Sequence, residues 1–399
     1  MGILGKLLDA CRTGLLNLAG WEVEIMLRLL ERLCRIRIGL IEVHRIGTLA
    51  QIPEVFLRKR AIGVETADTV DLFFCTHAEI CNRPLMAMIR RRLRVFEGRQ
   101  ATDFYLRALR RRIAGSRFEA QMTCRPRVRL GRVPPQLAFT PEEKRRGENL
   151  LREMGIPEGK PFVCFHARDH LYLDRMFPHQ TREQWAYHDY RDSDIRNYVP
   201  AMDYLAGRGI RGIRMGSVVK DRLETAHPLI VDYATTRRSE FGDVYLSGHC
   251  KFFISGGSGL AHIAAIFNRP VAIVNAMPVS DYAEWWKEDD VYIPKKLRHV
   301  EKNRFLTLKE TIELGADLWN KSSMFADAGL EVVENTPEEI LGIAREMNDR
   351  IDGVRVETDE DRRRQDHFQS LISRRLSPEI SNPLRIGADF LRRNPDFLA

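Results

Sequence analysis

Two short stretches hold residue types that could act together on an anion. Residues 255–259 read Ser-Gly-Gly-Ser-Gly, between an apolar run and an amphipathic one. Small residues at such a junction let backbone N–H groups approach a phosphate, and the amino end of the following helix adds a partial positive charge. Ser255 and Ser258 can donate as well. His262 follows Ser258 by four residues, one helical turn along, so the two can face the same side. Ser255, Gly256, Gly257, Ser258, Gly259 and His262 are therefore candidate anion ligands. The plainer alternatives are a tight strand-to-helix turn for the loop and a core position for the histidine. The second stretch is Phe165-His166-Ala167-Arg168-Asp169, where another apolar run ends. Arg168 suits bidentate capture of phosphate oxygens. His166 and Asp169 flank it, and Asp169 is a candidate general base.

Two more stretches could complete such a site. Arg191, Asp192, Ser193, Asp194 and the pair Asn197-Tyr198 surround the expected start of a helix at 194–207, and one of residues 192–194 should cap it. The loop 170–193 is long, polar and aromatic, and loops of that length in compact domains often serve a site. In the first half, Glu42–Glu54 follows a predicted strand. There His44 or Glu54 could deprotonate an incoming hydroxyl, although His44 could equally cap a sheet edge.

The elements that must position these residues alternate regularly. Strands are expected at 36–43, 70–76, 161–167, 209–216, 228–234, 251–255 and 270–275, with Pro53 in the first turn of a helix. Helices are expected over 83–114 as an Arg-rich pair, after Thr140-Pro141-Glu142-Glu143, and at 194–207, 239–250 and 259–267. Another follows Thr336-Pro337-Glu338-Glu339. Strand–helix alternation at this spacing implies βαβ units and parallel sheets. The proline-rich segment 131–143 reads as a linker. The chain is thus an α/β protein of two lobes facing a cleft, a first domain over 36–135 and a second over 136–354. Residues 355–399 read as a polar tail with some helix that could cross back to the first domain.

At 399 residues the chain is long enough for two cores. Its hydrophobic content of 44% and charged content of 30% are ordinary for a globular protein. The net charge of +8 suits anionic partners, and it is concentrated in residues 83–132, which hold 15 Arg against three acidic residues. A solvated helix face is the plain account of that run, an anionic membrane surface the next, and nucleic acid is disfavoured by the lack of interleaved aromatics. The seven cysteines include no CxxC, which argues against a zinc site or disulfide framework and for a reducing, cytoplasmic compartment. No signal peptide and no bilayer-spanning run is evident. In residues 1–35 the apolar positions Leu4, Leu7, Leu8, Cys11, Leu15 and Leu18 share helical spacing. That fits either capping helices or an interfacial anchor at the inner face of a membrane.

The segment ISGGSGLAHIAAIFNRPVAIVN resembles the donor-site segment of glycosyltransferases of the heptosyltransferase type, which have the two-domain GT-B architecture. Blocks such as VHRIGTLAQIPEVFLRK, FVCFHARD and YRDSDIRNYVPAMDYLAGRGIRGIRMG resemble a bacterial glycosyltransferase family found among surface-polysaccharide genes, over about residues 36–350. The resemblance implies two Rossmann-like domains facing a cleft. A nucleotide-diphospho-sugar would bind the second domain, and a glycan or lipid-linked acceptor would approach from the first. No metal and no cofactor beyond the donor substrate are implied; Asp192-Ser193-Asp194 spells DxD but reads better as a helix cap. His166-Ala167-Arg168 is similar to the HxR element of fucosyltransferases with GT-B-like folds, whose arginine meets the donor diphosphate, and that role carries to Arg168. Heptosyltransferases place an acidic base after the first strand, where this sequence has His44 and Thr48, so the base stays open between His44 and Asp169. Two alternatives also remain open at this stage. One is a nucleotide-sugar epimerase on the same fold. The other is a non-enzymatic basic module for RNA or anionic membrane.

Overall fold

The computed structural model describes residues 20–66, 68–75, 80–98, 103–124, 128, 130–176, 181–280, 287, 289–373 and 384–399. The apolar positions noted between Leu4 and Leu18 lie outside the described residues. Contacts divide the chain into two compact units, Met1–Pro126 with Val133–Phe139, and Arg127–Arg132 with Thr140–Ala399.

The first unit is built on a parallel sheet of β1 (Ile36–Leu40), β2 (Val70–Cys75) and β3 (Val95–Glu97), in that order. Helices Ile46–Ala61 and Arg83–Arg90 make the crossovers, and Asp103–Ile113 follows β3. Asn82 caps the second of these by accepting from Leu85 N at 2.9 Å. Two expectations shift here. The Arg-rich pair of helices at 83–114 is interrupted by β3, because three residues are too few to show an alternating pattern. Pro53 lies inside helix Ile46–Ala61 rather than in its first turn, since the helix opens at Ile46.

The second unit carries a six-stranded sheet of β4 (Phe162–His166), β5 (Arg211–Arg214), β6 (Ile230–Asp232), β7 (Phe253–Ser255), β8 (Val271–Ala276) and β9 (Val291–Pro294). The spatial order is β6-β5-β4-β7-β8-β9 and every neighbouring pair is parallel. Helices cover both faces, so β4 and β8 read as unbroken apolar runs rather than alternating ones. Pro141–Glu153 and Pro337–Ile351 open with capping boxes, Thr140 with Glu143 and Thr336 with Glu339. The helix expected at 194–207 is a 3-10 turn, Ile195–Tyr198, followed by Val199–Ala206. A small antiparallel sheet of β10 (Lys296–His299), β11 (Arg304–Phe305) and β12 (Leu330–Val333) completes the unit.

The described part of the segment read as a tail packs into the second unit. Helix Asp359–Ile372 sets Phe368 against Tyr292 of β9, ring centroids 5.8 Å apart, and Ile386 bridges to the same tyrosine. Phe368, Ile372, Leu384, Ile386, Phe390 and Leu391 are all buried. The polar composition that suggested a tail is the exposed side of these elements. Among the described residues no helix is long and apolar enough to cross a membrane. The six described cysteines are free thiols.

Candidate functional site

Counted from β4, the sheet of the second unit runs third, second, first, fourth, fifth, sixth. The chain builds outward from β4 to one side, then returns to start the other half at β7. In doubly wound sheets the crevice beyond the carboxyl ends of those two central strands is where ligands bind, because no crossover covers it. Here His166 ends β4 and Ser255 ends β7, and the two are register partners. The two stretches singled out from sequence therefore meet at this point.

The glycines fit the close approach of the two loops. Gly256 N donates to His166 O at 3.0 Å. A Cβ on Gly256 would lie 3.0 Å from Ser193 Oγ and 3.1 Å from Tyr198 Oη. Gly257 takes φ 65°, the left-handed region that glycine tolerates. Ser255 Oγ sits 3.0 Å from Ser258 Oγ and accepts from Ser258 N at 3.3 Å. Ser258 is the N-cap of helix Gly259–Ile266, with no side-chain cap bond of its own. The N–H groups of Gly257, Gly259 and Leu260 have no acceptor among the described residues. Half-buried His262 stands at the end of that helix's first turn.

Arg168 leaves β4 beside this loop with its side chain 13% exposed. Its Nη1 bonds His188 O at 3.2 Å and pairs with Asp192 Oδ1, while Nε and Nη2 have no partner among the described residues. Burial and the neighbouring Arg191 both disfavour its charge, and Asp192 restores part of it. Arg191 donates to Gly257 O at 2.7 Å, clamping the glycine loop. His166 holds its Nδ1 buried without a partner among the described residues, although part of the residue reaches solvent. Burial, with Arg214 and Arg168 close by, pushes its pKa down to about 3, so the imidazole is neutral.

Asp192 and Tyr198, noted in the sequence beside a helix start, hold this arrangement together with His170 and Lys295, which the sequence did not single out. Asp192 is its hub: one carboxylate oxygen meets Arg168 and the other lies 3.2 Å from His170 Nδ1. Burial raises the Asp192 pKa. Lys295, the residue after β9, is 4% exposed and donates through Nζ to the carbonyl of Asp192. Burial brings its pKa down to about 8, against the pull of Glu334 and Asp192. Tyr198 is buried, lies 3.2 Å from Ser193 Oγ and accepts from Asn275 Nδ2 at 3.4 Å; burial holds its phenol up at about 12, so it stays protonated. No local signal marks Lys295. Only strand order brings it to a loop 103 residues away in sequence.

The base candidates fare differently. Both oxygens of Asp169 are committed, accepting from Leu171 N at 3.0 Å and Lys220 N at 3.1 Å, so this carboxylate ties two loops together. Glu54 is fully buried in the first unit, paired with Arg58 at 2.7 Å and accepting from Gln136 N and Leu137 N. It is a staple for the segment Val133–Phe139 and has no access to solvent. His44 is exposed in the loop between β1 and helix Ile46–Ala61. Asp194, not Asp192, accepts the capping bond, from Arg196 N at 2.9 Å. Among the described residues no three His, Cys, Asp or Glu side chains gather as metal ligands.

No protein-family model matches the sequence, and no curated protein matches it. Among solved structures, it is similar to the ADP-heptose LPS heptosyltransferase II of E. coli at 16% identity, covering 65% of this chain and 90% of that one, with a TM-score of 0.42. E. coli heptosyltransferase WaaC with ADP matches at 12% identity over 65% of this chain and 91% of that one, TM-score 0.33. The iron-containing dodecameric glycosyltransferase TibC from enterotoxigenic E. coli matches at 13% identity over 61% of this chain and 59% of that one, TM-score 0.31.

Proposed function

We propose that the protein is a glycosyltransferase that moves a sugar from a nucleotide-diphospho-sugar to a hydroxyl acceptor, a glycan or lipid-linked sugar of a cell-surface polysaccharide. One observation carries this reading. At the switch point of the second unit, a half-buried arginine stands beside a loop, and among the described residues its Nε and Nη2 and the N–H groups of Gly257, Gly259 and Leu260 have no partner. Arg168, Arg191 and Lys295 gather around this loop, and a bound diphosphate would meet them with negative charge.

When the glycosidic bond breaks, the electron pair goes to the diphosphate and its charge grows. Donors fixed in place before that moment stabilise the transition state more than the bound substrate. Arg168 and the helix-opening N–H groups take this part, with His262 toward the sugar side. Neutral His166 adds a ring that can donate or accept without adding charge. His44 of the first unit is the proposed base on the acceptor hydroxyl. With the diphosphate charge met by these groups, transfer is proposed to need no metal, and activity should survive dialysis against EDTA. The proposal includes a cytoplasmic location, peripheral to the inner face of the plasma membrane. The support is strand-end geometry rather than the matched structures, whose TM-scores stay below 0.5.

Calorimetric titration of Arg168→Ala with nucleoside diphosphates and their sugars tests the reading. Loss of affinity in a folded variant is expected, and unchanged affinity removes Arg168 from the site.

A further inference from the structure

We propose that the edge of the first unit's sheet where its strands begin is a docking surface for an anionic lipid bilayer. In a parallel sheet every crossover helix runs back against the strands, so the helices end where the strands start. Helix Arg83–Arg90 and helix Asp103–Ile113 end in exposed basic residues, Arg90 and Arg110, Arg111 and Arg112, whereas those ending helix Ile46–Ala61 are buried or paired, Arg58 with Glu54, Lys59 with Glu65 and Arg60 with Asp71. The segment before β1 adds exposed Arg32 and Arg35. A basic residue in a last turn complements the helix dipole and needs no other cause. That does not account for the loop 91–94, which carries three further exposed arginines beyond the helix end. Residues 90–96 line a concavity of about 460 Å³.

Exposed apolar side chains share this edge. Leu33, just before β1, is 83% exposed. Ile62 and Val64, just after helix Ile46–Ala61, are 44% and 50% exposed. The surface continues along the helix at 20–30, whose inner side buries Leu27 while Trp21, Met26 and Leu29 face outward, each at least half exposed. Some of the arginines are already paired, Arg90 with Glu97, Arg112 with Glu24 and Arg117 with Glu31. The guanidinium groups of Arg35, Arg94, Arg110 and Arg111 have no partner among the described residues.

Aliphatic side chains set among uncommitted arginines match the boundary of an anionic bilayer, where apolar groups enter the acyl layer and guanidinium groups meet lipid phosphates. Nucleic acid fits less well, because five of the six apolar side chains named, Leu33, Ile62, Val64, Met26 and Leu29, offer no ring for a base to stack on. A bilayer held here would leave the opposite edge, with His44, facing away from it. A six-residue strand such as β2 spans roughly 20 Å, which sets the scale of that separation. The inference is independent of the donor reading, since it uses only the first unit.

The test is flotation of the full chain with phosphatidylcholine vesicles, with and without 30 mol% phosphatidylglycerol. Binding is expected only with the anionic lipid and should fall as salt rises. Arg92→Glu/Arg94→Glu/Arg111→Glu should weaken it at least about tenfold, and so should Leu33→Ser/Val64→Ser, which changes two exposed side chains and leaves the charge intact. Equal binding to both vesicle types, or wild-type binding by either variant, would overturn the proposal. So would tight binding of polyuridylate that the Ser variant leaves unchanged. Coincident thermal melts of both variants with the parent exclude misfolding as the cause of a loss.

Discussion

The carboxyl edge of the second unit and the amino edge of the first are both rich in cations, and they use them in opposite ways. Arg168, Arg191 and Lys295 are each tied to a named carbonyl or carboxylate. The guanidinium groups of Arg94, Arg110 and Arg111 are exposed and have no partner among the described residues. The difference follows from solvation. A cation removed from water must find fixed partners or lose its charge, so burial forces geometry on it. An exposed cation keeps its water and stays free to move. Fixed cations can recognise one small anion; free ones make a field that attracts an anionic surface and weakens with salt.

Burial, not membership of a unit, is the cause, and Glu54–Arg58 offers the hardest test. This fully buried pair lies in the first unit. Glu54→Ala would leave the Arg58 charge buried and free the segment Val133–Phe139. A loss of roughly 3–5 kcal/mol is expected in urea denaturation, as for other broken buried pairs. A loss under 1 kcal/mol would break the comparison. Next in size, Arg168→Ala should lower affinity for a nucleoside diphosphate roughly 10- to 100-fold, the range for a charged hydrogen bond. That loss should change little between low and moderate salt, unlike vesicle binding.

Lys295 sharpens the contrast through pH. Its pKa in the folded protein is about 8, below the free value of 10.5. Between those values the unfolded chain holds the proton and the folded protein does not, so Lys295 makes the native state gain stability as pH rises through that window. Anion affinity moves the other way. The ammonium is lost above about pH 8, and diphosphate binding should fall roughly several-fold from pH 7 to 9. Lys295→Arg should flatten that profile. A profile unchanged in the variant would place the titrating group elsewhere. Smallest of all, Arg94→Ala and Arg111→Ala should each shift stability by less than about 0.5 kcal/mol, as exposed substitutions do. A larger shift would mean that these side chains have fixed partners after all.

The parts of the site visible in the sequence are those with local signatures. Ser255–Gly259 announces itself as small residues between an apolar run and a helix, and Arg168 as a cation ending a buried strand. Thr140-Pro141-Glu142-Glu143 is read correctly because its capping box closes within four residues. Asp169 shows what the same kind of cue leaves out. A carboxylate at a strand end looks free in sequence, but its partner Lys220 N lies 51 residues on. β3 and β9 to β12 escaped because short or flanking strands lack enough periodicity to stand out.

By itself the sequence determined the strand–helix alternation, the helix starts and the positions of the glycine loop and Arg168, because each rests on contacts a few residues long. Only the tertiary structure decided that β4 and β7 lie side by side, that Asp192 and Lys295 join Arg168 there, and that the basic helix ends of the first unit gather at one edge. Those outcomes depend on strand order and on which side chains burial excludes from water. Neither is a property of any short stretch of chain.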